Sequence, residues 1–389
     1  MRVVIAADFP EAPPNVVGGI QAIVYYTLLP LATNEALDIH IVSCEKWGKA
    51  ARSGNWALQG EGWLAHYYAS APRLPHTLSM LTVDRWKVAR AIRDLRPDIV
   101  HAHGQAAAYP WAAFDSGVPT IVTVQGINAL EARLDRRGGR LRSELRALLW
   151  ERIERACLRR MKEVVITGPF QAEVIRPHTQ ARFHWIENPV QPELFDISAD
   201  TIIPGQILYV GSIQKRKGLS DLIQAVHLLR DLQPPIHLRV AGGFMQPYAA
   251  YGETVRQLTE RLDLSDRIHF LGHTDRSTLL EEFKHCAVFC LPTYLEGSPV
   301  AVAEAMAAGR PIVTTAIDAT AHLIAEGVNG FRVPPGDPEA LAARLRALLT
   351  NADLSRAFGQ AARQEAIHRF SPEKAARATF EAYRKILEA

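Results

Sequence analysis

Residues 287–315 read AVFCLPTYLEGSPVAVAEAMAAGRPIVTT. Ala287 to Leu291 is a short apolar run closed by Pro292, and Pro311 to Thr315 is a second. Short apolar runs bounded by turn residues predict strands buried on both faces. Between them, Ser298 is expected to cap a helix with Pro299 as its first residue, and that helix carries Glu304 and the small-residue stretch Ala305 to Gly309. Strand, loop, helix and strand in that order make one parallel βαβ unit.

Working outward, the unit repeats. Towards the C-terminus a helical tail begins near Pro338, and a last helix follows Ser371-Pro372-Glu373. Towards the N-terminus, strands are predicted at Ile268 to Leu271, Ile236 to Ala241 and Ile207 to Gly211. Residues Asn188 to Gly205, with three prolines and no clear period, read as a linker. Before it, strands are predicted at Val3 to Ala7, Ile39 to Cys44, Asp98 to His103, Thr120 to Val124 and Val164 to Thr167. The fold class is therefore α/β, with two doubly wound, Rossmann-like domains expected at 1–190 and 205–370. In such sheets ligands bind beyond the carboxyl ends of the strands.

Composition agrees with this class. The chain has 389 residues, 48% of them hydrophobic, and 44 Lys plus Arg against 41 Asp plus Glu. A net charge of only +3 gives no warrant for nucleic-acid binding. Cys44, Cys157, Cys286 and Cys290 form no metal-ligand spacing and read as reduced, structural thiols, which points to the cytoplasm. No signal peptide or membrane-spanning run is legible.

Two loops carry chemistry. Gly211-Ser212-Ile213-Gln214-Lys215-Arg216-Lys217-Gly218 follows a strand and opens a helix. Glycine backbone, two cations and a helix N-terminus suit a phosphate or diphosphate. The spacing is not that of a Walker A loop, and a solvated basic turn is the alternative. In the second loop, Glu296 precedes a helix and Glu304 lies within it. Two carboxylates eight residues apart suit the hydroxyls at two ends of one ligand better than a shared metal. The backbone N–H groups from Gly297 to Val300 would face an anion between them.

Glu296 to Pro311, EGSPVAVAEAMAAGRP, resembles the E-x7-E signature of the retaining glycosyltransferases of family 4, the group 1 glycosyl transferases. Gly18-Gly19, Asp98 to His103, Gly211 to Gly218 and Gly327 to Phe331 resemble that family's other motifs in the same order. The resemblance implies the GT-B fold, two Rossmann-like domains facing a cleft, with the helix of 371–389 crossing back to the N-terminal domain. It implies that Arg216 and Lys217 bind the diphosphate of a nucleotide sugar, with Gly18, Gly19 and Gly211 beside the donor. Glu304 would hold the ribose, and Leu271 and Gly272 would lie near the base. Glu296 would hold the donor sugar, with Gly297, Ser298, Pro299 and Val300 framing it. No DxD is present, so no metal or other cofactor is expected. The expected function is retaining transfer from a nucleotide diphosphate sugar to the hydroxyl of a sugar, lipid-linked or other acceptor in glycan synthesis. A non-catalytic sugar-nucleotide-binding partner, or another GT-B enzyme such as an epimerase or a phosphorylase, is the alternative.

The chain departs from the family pattern at Ser212, where many members have Arg, and at Gln125, where they have His. Gln125 cannot act as a general base but can orient a hydroxyl. On either side of Ala102, His101 and His103 are expected to face opposite sides of their strand, with His103 on the acceptor side and His101 structural. Arg133 to Lys162 holds eleven Lys or Arg against four acids, a local excess of seven. Leu141, Leu145, Leu148, Leu149, Ile153, Ala156, Cys157 and Met161 are expected to pack one face of a helix there. The basic face is either solvated or a peripheral contact with anionic membrane at the inner face of the cell membrane.

Overall fold

The computed structural model describes residues 1–13, 16, 18–45, 56–69, 82–104, 108–126, 141–244 and 249–389. The chain divides into two compact units, Met1–Pro189 with Pro372–Ala389, and Val190–Ser371.

Unit 1 is built on an eight-stranded sheet: β1 (Arg2–Ala6), β2 (Asp38–Glu45), β3 (Trp56–Gly60), β4 (Trp63–Ala69), β5 (Ile99–His103), β6 (Thr120–Thr123), β7 (Glu163–Ile166) and β8 (Arg182–Trp185). The order is β3-β4-β2-β1-β5-β6-β7-β8. All pairs are parallel except β3 with β4. The aliphatic runs Val3 to Ala6 and Ile121 to Thr123 are wholly buried, as helices on both faces require.

The hairpin β3–β4 and the edge strand β8 are not predicted by the aliphatic pattern. β4 alternates buried Trp63, Ala65 and Tyr67 with half-buried Leu64, His66 and Tyr68, and β8, RFHW, is at most half-buried, so neither forms a continuous aliphatic run. The helix Pro372–Leu387 belongs to unit 1. Its Ala375, Ala376, Ala382 and Tyr383 join Val3, Ile5, Ile39, Ile41 and Ile99 in one core.

The helix Leu141–Arg160 carries part of the basic stretch; residues 133–140, and the side chains to 147, lie outside the described residues. Its predicted apolar face is only partly packed. Cys157 and Met161 are buried, but Leu148 and Leu149 are about half exposed. Glu151 and Glu154 are buried instead, so the packed face is rotated from the apolar positions and includes two acids.

Unit 2 holds β9 (Gln206–Val210), β10 (His237–Ala241), β11 (Ile268–Gly272), β12 (Val288–Leu291), β13 (Ile312–Thr315) and β14 (Gly330–Val333), ordered β11-β10-β9-β12-β13-β14 and parallel throughout. Residues read as a linker are packed within this unit. Val190, Leu194 and Ile197 are buried in its core, and Pro192–Asp196 and Ala199–Thr201 form 3-10 turns. The prolines there shape turns rather than a solvated tether.

Tyr383 is fully buried, and its hydroxyl meets His101 Nδ1 at 2.7 Å. Tyr383→Ala should cost unit 1 about 3–5 kcal/mol through the cavity it leaves. Tyr383→Phe should cost about 1–3 kcal/mol, because a buried imidazole nitrogen loses its partner. Urea unfolding checks both; a Tyr383→Phe chain as stable as the parent would refute the hydrogen bond's role.

Candidate functional site

In unit 2 the strand order reverses between β9 and β12, which are neighbours although three strands apart in chain order. The loops leaving them diverge to opposite sides and open a crevice between their first residues. These are the two loops singled out by sequence, Gly211 to Gly218 after β9 and Pro292 to Pro299 after β12.

The loops are stitched together. Lys215–Lys217 forms a 3-10 turn. The Arg216 carbonyl accepts from the Tyr294 amide at 2.7 Å and from Thr293 Oγ1 at 3.0 Å. Arg216 Nη1 donates to the Leu295 carbonyl at 3.1 Å and lies 3.8 Å from Glu296 Oε2. Lys217 Nζ donates to Glu296 Oε1. The three charged side chains are only 13%, 14% and 8% exposed, for Arg216, Lys217 and Glu296 respectively. At such burial, removing one partner costs about 3–5 kcal/mol, because the other charge is left without its counter-ion.

Gly218 makes the junction possible. It sits at φ 68°, and a Cβ there would come within 1.9 Å of the Pro292 carbonyl oxygen. Gly211 begins the same loop, its amide donating to the Ala241 carbonyl at 2.9 Å.

The helix after Glu296 starts at Val300, one residue later than predicted, with Pro299 rather than Ser298 in the cap position. Pro299 has ψ 88°, outside the helical range, so it cannot be the first helical residue. Gly297 is buried, while Ser298 and Val300 are half-buried. Glu304 is buried and paired with Arg276 Nη1 at 2.8 Å, and Arg276 Nε donates to Gln191 Oε1 at 3.1 Å. Leu271 and Gly272 are the last two residues of β11, two strands from β9, with Gly272 at φ 71°.

Sequence reasoning missed Arg276 and Gln191, and also Tyr294, whose hydroxyl donates to Asp221 Oδ2 at 2.7 Å. Burial raises the Asp221 carboxyl above its usual range. The only sequence signal for Arg276 is Asp275 before it, which caps its helix by accepting from the Thr278 amide at 2.7 Å.

In unit 1 the switch point lies between β1 and β5. His101 and His103 on β5 do not face opposite sides. Residues i and i+2 of a strand share a face, and the two rings stack with centroids 4.4 Å apart. His101 is held between Tyr383 Oη and Thr123 Oγ1, at 2.7 and 2.6 Å. His103 Nδ1 meets Gln125 Nε2 at 3.2 Å, the amide donating to a neutral ring. Gln125 thus takes the place of a base with a group that fixes the His103 tautomer. Burial pushes His103 down to about 3 and His101 well below the ordinary histidine value. Gly18, at φ 84°, precedes the helix Gly19–Ala32, and a Cβ on either glycine would meet nothing within 4 Å.

Among the described residues no group of His, Cys, Asp or Glu is placed to hold a metal. None of the described helices is long and apolar enough to cross a membrane. None of the four cysteines is in a disulfide; burial pushes the thiols of Cys157 and Cys286 up to about 12 and raises that of Cys290 as well.

Two α/β units, each a largely parallel sheet with its own switch point, define the class as the GT-B fold. Residues 18–185 match the family described as "Glycosyl transferase 4-like domain", and residues 200–365 match "Glycosyl transferases group 1". The chain belongs to the group 1 glycosyltransferases. It is 27% identical over 303 residues to glycogen synthase of Mycobacterium tuberculosis, covering 75% of this chain and 69% of that one. Its fold is similar to sucrose-phosphate synthase of Thermosynechococcus elongatus, with TM-score 0.80 and 19% identity over 100% of this chain and 99% of that one. It is also similar to Anabaena Alr3699/HepE, solved in complex with UDP and glucose, with TM-score 0.76 and 17% identity over 99% and 100% of the chains.

The buried histidines give a pH signature. Their folded values lie below the unfolded one near 6.5, so between the two the unfolded chain binds more protons. Their contribution is complete above about pH 6.5 and is lost as pH falls towards about 3. His103→Gln should therefore flatten the stability profile across that window, measured by denaturant titration at successive pH values. An unchanged slope would show that His103 is not buried neutral.

Proposed function

We propose that this chain is a retaining, metal-independent glycosyltransferase that uses a nucleoside diphosphate sugar. The observation that carries this reading is the cluster of Arg216, Lys217 and Glu296 at the β9/β12 switch point, two cations and one carboxylate in a nearly dry setting. Its chemistry matches the charge that develops when a glycosyl diphosphate bond breaks. Arg216 and Lys217 take the diphosphate, and Lys217 exchanges its bond to Glu296 for one to a phosphate oxygen. Glu296, released, accepts from hydroxyls of the donor sugar, with the backbone of Gly297 and Ser298 beside it. Glu304, fixed by Arg276, accepts from the ribose hydroxyls. UDP is the first nucleotide to test, because the fold neighbour Alr3699/HepE was solved with it.

In the transfer step the bond between the anomeric carbon and the diphosphate oxygen breaks, and a bond to the acceptor oxygen forms on the same face. The acceptor proton passes to the leaving phosphate. His103, neutral and oriented by Gln125, offers its ring to an acceptor hydroxyl rather than a charge. The buried thiols of Cys157, Cys286 and Cys290, none of them in a disulfide, support a reducing compartment.

Lys217→Ala should lower kcat by at least about 100-fold and also lower Tm, since Glu296 loses its counter-ion. The parent should be insensitive to EDTA, and NMR of the product should show the donor's anomeric configuration. Full turnover in Lys217→Ala, loss of activity with EDTA, or an inverted product would each refute part of this reading.

A further inference from the structure

The helix Leu141–Arg160 turns leucines outward and acids inward, the reverse of a helix that only covers a sheet. Cys157 and Leu158 pack in the core of unit 1, and Glu151 and Glu154 are buried on the same side. Leu148 and Leu149 face solvent, 48% and 52% exposed. At about 3.6 residues per turn, Leu148, Arg152 and Arg159 fall in one stripe, with Leu149, Ala156 and Arg160 beside it. This outward stripe holds two leucines, three arginines and no acid. A solvated basic face has no use for two exposed leucines, and burying two acids in their place is unfavourable.

Three helices lie on this face of the sheet. Val88 and Ile92 of the helix Val83–Leu95, and Tyr109 and Ala112 of the helix Ala108–Ser116, share one core with Cys157 and Leu158. Asp115 ties the three together, accepting from Arg85 Nη2 at 2.8 Å and from Arg160 Nη1 at 3.4 Å. Arg85 and Arg160 also lie over Trp111, 4.9 and 5.4 Å from its ring centre. The first helix adds Trp86, 57% exposed, with Arg90 at 5.7 Å from its ring. Asp115 is thus engaged, and Asp94 lies 3.8 Å from Arg90. Arg152 and Arg159 meet no acid among the described residues, and Lys162 is exposed just beyond them.

In a parallel sheet the helix before β7 runs from the carboxyl ends of the strands to their amino ends. Leu148 and Leu149 therefore lie towards the end where β5 and β6 deliver His103 and Gln125. Arg159 lies about 16 Å further along the axis than Leu148.

We propose that this helical layer docks unit 1 on an anionic lipid bilayer. Leu148 and Leu149 enter the headgroup boundary, and Arg152 and Arg159 meet lipid phosphates while their stems lie along the apolar surface. Trp86 suits the same boundary. None of the described helices can cross a membrane, so the contact is peripheral. A soluble polyanion would leave the leucines wet. A symmetric pairing of two copies would set the arginines of identical stripes against each other. Docking holds the carboxyl end of the unit 1 sheet near the lipid, and vesicle binding can be read without any transfer reaction.

The test is flotation of the full chain with vesicles of phosphatidylcholine alone, or containing about 30% phosphatidylglycerol, at about 50 and about 500 mM salt. Binding to the mixed vesicles at low salt, at least about tenfold weaker at high salt or without the anionic lipid, supports the surface. Arg152→Glu with Arg159→Glu should weaken it at least about tenfold. Leu148→Glu with Leu149→Glu should weaken it at least about fivefold. Both pairs are exposed, so Tm should not change; if it falls, Arg152→Gln with Arg159→Gln and Leu148→Ser with Leu149→Ser decide instead. No binding to the mixed vesicles, or binding that either pair leaves undiminished, overturns the proposal. A dimer seen by sedimentation velocity that Leu148→Glu with Leu149→Glu dissolves overturns it too, and gives the leucines to a second copy.

Discussion

The bond between Lys217 and Glu296 joins two loops that come from different strands, 79 residues apart in sequence. The organisation of the site depends on it. Beyond the single 3-10 turn of Lys215–Lys217, the adjoining contacts, from Tyr294 and Thr293 to the Arg216 carbonyl, form only when the loops are at this distance. Two buried cations with one carboxylate leave a local excess of positive charge at the switch point. Such an arrangement costs stability in isolation and is relieved by an anion. The same loop geometry thus explains rigidity and affinity together.

Sheet topology puts the cluster there. Reversal of strand order between β9 and β12 separates the loops enough for a ligand, and Gly218 lets the backbone of one pass against Pro292 of the other. Glu304 is set a helix turn deeper and held by Arg276, which is itself fixed by Gln191. Residues 190–205, far from being a tether, therefore supply a side chain to the site's support. In unit 1 a corresponding role falls to the last helix, whose Tyr383 fixes His101 beneath His103.

Much of this was legible in the sequence, for identifiable reasons. Strands buried on both faces are continuous aliphatic runs, and most such runs, from Val3 to Ala6 through Ile312 to Thr315, were readable. The loops were readable because glycines, cations and carboxylates cluster after those runs. The hairpin Trp56–Ala69 was not, because β4 buries only every second residue and so breaks the aliphatic run. The facing of His101 and His103 was misjudged against the strand's period of two, and the structure restores it. Partners from distant segments, such as Arg276 for Glu304 and Tyr383 for His101, leave no local pattern to read. Of the basic stretch, the apolar positions alone could not show that Glu151 and Glu154 turn inward while Leu148 and Leu149 turn out.

If Glu296 is the resident counter-ion that a diphosphate displaces, then neutralising it should free both cations. The direct measurement is calorimetric binding of UDP, or whichever of UDP, GDP and ADP stabilises the chain most, to the parent and to Glu296→Gln. The account predicts affinity raised by about tenfold in the variant while sugar transfer is lost. Binding weakened in step with transfer would contradict it, and would make Glu296 a direct support of the nucleotide rather than its competitor.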